Sequence, residues 1–122
     1  MTTPTQSMPP SITAYMLNNR FEAACSNQHY WVTGECKNAV NQPRDDWTFD
    51  MVCREGNLEF GERLSIIRCR IWSEKAYRIN IELQRAGTTL AEALLDGMSL
   101  EVYGETKIWS GSLQLLITSI RP

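Results

Sequence analysis

The segment Ile66-Ile67-Arg68-Cys69-Arg70-Ile71-Trp72 alternates two guanidinium groups and an indole with aliphatic residues. In a strand, successive side chains point to opposite faces. Arg68, Arg70 and Trp72 therefore share one face at intervals of about 6–7 Å, and Ile67, Cys69 and Ile71 share the other. Cations at that spacing suit the phosphates of an extended polynucleotide, and a flat ring beside them suits a base. These are the two effects that hold single strands: counterion release from phosphates and stacking on aromatic faces. The competing reading of the arginines is ion pairing across the sheet with Asp50 or Glu35, which would make them structural. The competing reading of Trp72 is packing beneath a helix. Flanking segments supply further candidates for the same surface: Lys37, Arg44 and Lys107 as cations, and Trp109 as a second ring that stacks on a base or caps one end of the fold. Trp31 and Trp47 are assigned to packing or strand edges.

Catalytic chemistry finds little to work with. There is no Gly-x-x-x-x-Gly-Lys-Ser/Thr phosphate loop and no Gly-x-Ser-x-Gly elbow, and His29 is the single histidine. Cys25, Cys36, Cys53 and Cys69 stand 11, 17 and 16 residues apart, which is neither a Cys-x-x-Cys pair nor zinc-ribbon spacing. Reduced cysteines acting as small buried hydrophobes are expected. Asp45 and Asp46 are adjacent in a proline-containing loop, where acids serve as solvated turn residues. No metal, no cofactor and no enzymatic activity are expected.

A chain of 122 residues is one domain's worth and can bury its own core. It is 43% hydrophobic and 21% charged, with no apolar run of the ~18–20 residues that span a bilayer. The first ten residues lack the basic and apolar regions of a secretory signal and read as a flexible leader, so a cytoplasmic location without membrane contact is expected. A net charge of −2 excludes an indiscriminate polycation, and any nucleic-acid binding must be local. The charge is uneven: residues 54–78 hold six basic groups against four acidic, and residues 79–106 one against five. Positive charge thus gathers around the 66–72 segment.

The elements that must position these groups follow from periodicity. After Pro9-Pro10, Ser11 or Thr13 can cap a helix with apolar positions Ile12, Met16, Leu17, Phe21 and Ala24, ending near Ser26-Asn27. Residues 30–37 suit a strand that bends or bulges at Gly34, and residues 38–46 read as a loop. Trp47, Phe49, Met51 and Cys53 alternate with Thr48, Asp50 and Val52, placing the first set inward and the second outward. Residues 54–63 supply a glycine-containing turn before the 64–72 strand. Residues 73–97 look helical, with Thr88 or Thr89 capping a second helix that Gly97 stops. Tyr77, Ile79, Ile81 and Leu83 also alternate, which leaves the first half open to a strand. Two strands turning at Ser110-Gly111 complete the chain. Five short strands with a leading helix and a helical insertion between the third and fourth describe an OB-fold, a small Greek-key barrel, against an SH3-like barrel as the competitor.

Over residues 11–122 the chain resembles the amino-terminal OB-fold domain of the exonuclease VII large subunit. The likeness rests on the leading helix "SITAYMLNNRF", the strands "YWVTGECKN", "WTFDM" and "IIRCRIW", and the final pair "DGMSLEVYGE" and "LQLLITSIRP". It implies a domain that grips single-stranded DNA and lacks the nuclease part, in a bacterial or mobile-element setting. The chain departs from that pattern at Thr48 and Val52, where the family exposes an aromatic and a lysine, and at Tyr103 and Glu105, where it exposes arginines. The final hairpin is also tighter. The third strand is then what remains of a cationic face. The partner expected is single-stranded DNA or RNA. The alternative is a protein-interaction barrel that serves a DNA-processing or conjugation complex, or that dimerises through Ile66 and Val52.

Overall fold

A computed structural model describes residues 11–57, 61–109 and 111–121, with backbone alone at 54–57 and 61–64. The chain runs α1 (Ala14–Cys25), β1 (His29–Asn41), β2 (Trp47–Asn57), β3 (Gly61–Ile71), α2 (Ser73–Arg85), α3 (Leu90–Ala93), β4 (Ser99–Trp109) and β5 (Ser112–Arg121). The strands close a barrel in the order β1-β2-β3-β5-β4, and β4 pairs back onto β1. Every pairing is antiparallel except that of β3 with β5. This is the expected five-stranded barrel, with one helix leading and two between the third and fourth strands.

The interior explains the arrangement. Cys36 of β1, Phe49 and Met51 of β2, Cys69 and Ile71 of β3, Val102 of β4 and Leu115 and Ile117 of β5 are buried in one cluster. Complete burial of each large aliphatic or aromatic side chain is worth about 1.5–3 kcal/mol relative to leaving it exposed. In α2, Ala76, Ile79 and Leu83 add to the cluster at helical spacing while Tyr77 stays 73% exposed. The 3.6-residue period therefore decides residues 74–86 in favour of a helix. Thr13 caps α1 by accepting from the Met16 amide (3.1 Å), and Thr89 caps α3 by accepting from Glu92 (3.2 Å). At Gly104 the strands β4 and β5 approach so closely that a Cβ would stand 2.5 Å from the Leu116 carbonyl oxygen, and their register shifts there.

Several expectations are corrected. Strand β1 does not stop at residue 37 but runs to Asn41 through an irregularity between Lys37 and Val40; Gly34 itself pairs regularly with Leu100. The loop shrinks to residues 42–46, where Asp45 is in the left-handed region (φ 62°), as Asn38 is at the irregularity within β1 (φ 56°). That short loop folds back: the Gln42 side chain donates to Thr48 Oγ1 (3.2 Å), so Thr48, on the outer face opposite Arg70, is buried rather than exposed. Val52 is also buried, with Ile66 and Glu35 as its cross-strand neighbours, and an exposed Ile66–Val52 dimer patch loses one of its two members. The turn expected over 54–63 is mostly strand, pairing as far as Asn57 with Gly61; its tip at 58–60 lies outside the described residues, as does Ser110 of the last turn, where Gly111 has φ 79°. Helix α1 buries none of its residues, and Met16, Leu17 and Phe21 are exposed.

All four cysteines are free thiols, Cys36 and Cys69 buried and Cys25 and Cys53 half-buried. Burial, aided by Asp96 and Asp50, pushes the Cys36 thiol from 9.0 up to about 11, and burial pushes Cys69 further the same way. A thiol with a raised folded pKa keeps its proton in the fold while the unfolded chain releases it. The stability it contributes is complete below the unfolded pKa and is lost as pH rises through the folded one. The melting temperature is expected to fall between pH 9 and about 11, and Cys36→Ala to fall less steeply; parallel curves would contradict the assignment.

Candidate nucleic-acid interface

The alternation of β3 survives one residue past its end. Trp72 keeps extended backbone (φ −67°, ψ 150°) before α2 begins, so its ring follows Arg70 on the outer side of the barrel. Pairing of β3 with β5 and of β5 with β4 brings Trp109, the last residue of β4, to the same place. The two indoles meet edge to face with centroids 6.3 Å apart. The Arg70 guanidinium carbon lies 4.9 Å from the Trp72 ring centre and 6.0 Å from that of Trp109. Trp72 is 41% and Trp109 37% exposed, so Trp72 is not sealed beneath a helix as the competing reading had it. Each cation–π contact at such a site is worth roughly 0.5–1 kcal/mol. Among the described residues, Arg70 takes part in no ion pair, and its Nε is the buried side-chain nitrogen or oxygen that finds no hydrogen-bond partner.

Loop 42–46 forms the adjoining wall. The Gln42 amide donates to the Asp46 carbonyl (2.6 Å) and the Asp45 amide to the Gln42 carbonyl (2.9 Å), a tight turn that presents Arg44. Asp46 Oδ1 accepts from the Ser73 amide (2.7 Å), tying this loop to the first residue of α2. Two hollows result. One of about 270 Å³ lies between Arg44 and Arg70, and one of about 380 Å³ between Arg44, Trp72 and Lys75. Lys75 escaped the sequence reading because its role depends on α2 starting at Ser73, directly after the strand.

The structure thus brings together Arg44, Arg70, Trp72 and Trp109, and it places the other candidates elsewhere. Arg68 Nε lies 3.2 Å from Asp50 Oδ1, the cross-strand pairing foreseen as the alternative. With a half-exposed arginine this pair contributes little to stability, yet it occupies the cation. Lys37 stands opposite Asp50 on the β1 side. Lys107 Nζ donates to Asn27 Oδ1 and lies 3.4 Å from Glu105. Trp47 packs half-buried against the core, as expected. Trp31, assigned to packing or an edge, lies on the part of β1 that pairs with β4 alone, 40% exposed beside Tyr103.

No family model and no curated protein matches the chain. Among solved structures it is similar to a small single-stranded DNA binding protein from Mycoplasma pneumoniae (TM-score 0.54, 10% identity), over 79% of this chain and 92% of that one. The dimeric N-terminal domain of PriB protein from Thermoanaerobacter tencongensis aligns at TM-score 0.42 and 12% identity, over 78% and 93%. The fold is an OB-fold. In OB barrels, oligonucleotides and oligosaccharides are bound on the face of strands 2 and 3 and at the loops joining strands 1 to 2 and 4 to 5. Arg44 lies in the first of those loops, Trp109 borders the second, and Arg70 sits on the third strand.

The Asp46–Ser73 contact should hold the wall in place. Asp46→Ala is expected to lower stability by about 1 kcal/mol in urea unfolding, as loss of a helix-capping acceptor does, with Asp46→Asn closer to the parent. Equal midpoints for all three would show that the loop is held by something else.

Proposed function

We propose that this chain is a single-stranded nucleic-acid-binding OB protein, with single-stranded DNA as its ligand and no nuclease activity of its own. The observation that carries the reading is Arg70, which touches two exposed indoles and has no carboxylate partner among the described residues. A phosphate can reach that guanidinium without breaking an ion pair, and a base can stack on either ring. Arg44 and Lys75 lie on the loop side, in a hollow they share with Asp46 and Glu74. Arg68, Lys37 and Lys107 belong to the proposed surface as secondary contacts: Arg68 and Lys107 must first leave Asp50 and Glu105, and Lys37 stands across the ladder from Asp50. The order of motifs shared with the exonuclease VII large-subunit domain supports the same ligand.

A second reading, a barrel that docks in a DNA-processing complex, is favoured by α1, whose Tyr15, Leu17 and Phe21 are exposed. It predicts a defined oligomer in light scattering and no response to oligonucleotide.

Titration with an unstructured oligonucleotide is expected to quench tryptophan fluorescence. Affinity should fall with salt at a slope of about 0.7 per phosphate neutralised. Trp72→Ala should lose roughly 1–3 kcal/mol of binding, the cost of one stack, and Arg70→Glu at least as much, with melting temperatures near the parent's. An Arg70→Glu protein that binds like the parent removes this site. A labelled strand that is shortened in the presence of magnesium would contradict the absence of nuclease activity.

A further inference from the structure

We infer that a bound single strand continues from the Trp72–Trp109 pair along the outer face of β4 to a second stacking platform formed by Trp31 and Tyr103. This rests on the nucleic-acid reading above and extends it from the end of β4 to its middle. The outward positions of β4 are Trp109, Lys107, Glu105, Tyr103 and Glu101, since the residues between them are buried. Pairing sets Trp31 opposite Tyr103 and His29 opposite Glu105 on β1, and Arg121 opposite Glu101 on β5. The rings touch: Trp31 and Tyr103 have centroids 5.2 Å apart, and His29 lies 6.0 Å from Tyr103, inclined by only 24°. The Arg121 guanidinium carbon stands 3.8 Å over the Trp31 ring, so that face of the indole is covered and a base arriving there meets the guanidinium, a flat cation on which it can also stack.

Two carboxylates lie on this path, and both are matched. Glu105 is 3.4 Å from Lys107 Nζ and 3.9 Å from His29 Nε2, and Glu101 is 2.8 Å from Arg121. A strand passing over β4 therefore meets no uncompensated negative charge. Its phosphates also meet no free cation there, because Lys107 and Arg121 already have partners. The platform accordingly acts through stacking, and the salt dependence of binding originates at the Arg70 end. From Trp109 to Tyr103 the strand rises about 20 Å, about three nucleotides of an extended chain. The combined path falls within the span of about 4–16 nucleotides that one OB barrel covers.

The test compares oligothymidylates of two and ten nucleotides by fluorescence anisotropy, since two nucleotides cover only about 7 Å of that path. Trp31→Ala is expected to weaken the ten-nucleotide probe by about fivefold or more, the loss of one stack, to leave the two-nucleotide probe unchanged, and to leave the salt slope unchanged. Trp31→Phe should restore most of the loss. Arg121→Ala, at an exposed strand end, should also weaken only the longer probe and serves if Trp31→Ala does not fold. If the short probe binds and neither variant affects the long one, the platform is refuted while the Arg70 site stands. If neither probe binds the parent, both readings fall.

Discussion

Closure of the barrel by β3 against β5 is the constraint from which the site follows. Three register pairs make this junction: Arg68 with Gln114, Cys69 with Leu115 and Arg70 with Leu116. It is the single parallel pairing among the described strands, and it joins segments more than forty residues apart in sequence. On the inside it seats Cys69 and Leu115 in the core; on the outside it sets the β4–β5 hairpin beside the end of β3. Without it Arg70 and Trp72 would have no second ring to meet. The helical passage between β3 and β4 lets the chain make the parallel return, as such a connection must.

The local energies at the proposed site are small, so an arriving ligand would displace its contacts at little cost. Cation–π contacts of about 0.5–1 kcal/mol position Arg70 without consuming its charge. The ion pair at Arg68 is also weak, yet it pairs off the charge that a phosphate would need. The difference between the two arginines lies in their neighbours: Asp50 is opposite Arg68, and Thr48 is opposite Arg70. An uncharged, buried threonine across the ladder leaves Arg70 to the indoles. The departure at Thr48 that appears in sequence as a lost contact therefore keeps the remaining cation available.

The outward line of Arg68, Arg70 and Trp72 was legible because a period of two in a strand admits one assignment of faces. The inward set of β2 was legible for the same reason. Alternation says nothing about what covers the outer face, so it gave Thr48 and Val52 their face but not their burial, Thr48 being folded under Gln42. The helix at 74–86 carried both periods at once, and only its packing on the barrel chose between them. Helix α1 showed its cap at Thr13, but its pattern could not reveal that its apolar side chains stay exposed. Trp31 and Tyr103 are 72 residues apart, as Trp72 and Trp109 are 37 apart; ring pairs set by register across a closed barrel leave no local trace in the chain.

The central claim is that Arg70, Trp72 and Trp109 form the surface on which a base stacks. Photocrosslinking with an oligonucleotide carrying 5-iodo-deoxyuridine, followed by peptide mass spectrometry, reads this directly. The account predicts adducts on Trp72 and Trp109, suppressed by excess unlabelled single strand and by high salt. Adducts confined to α1, or absent from both indoles while the oligonucleotide is bound, would contradict it.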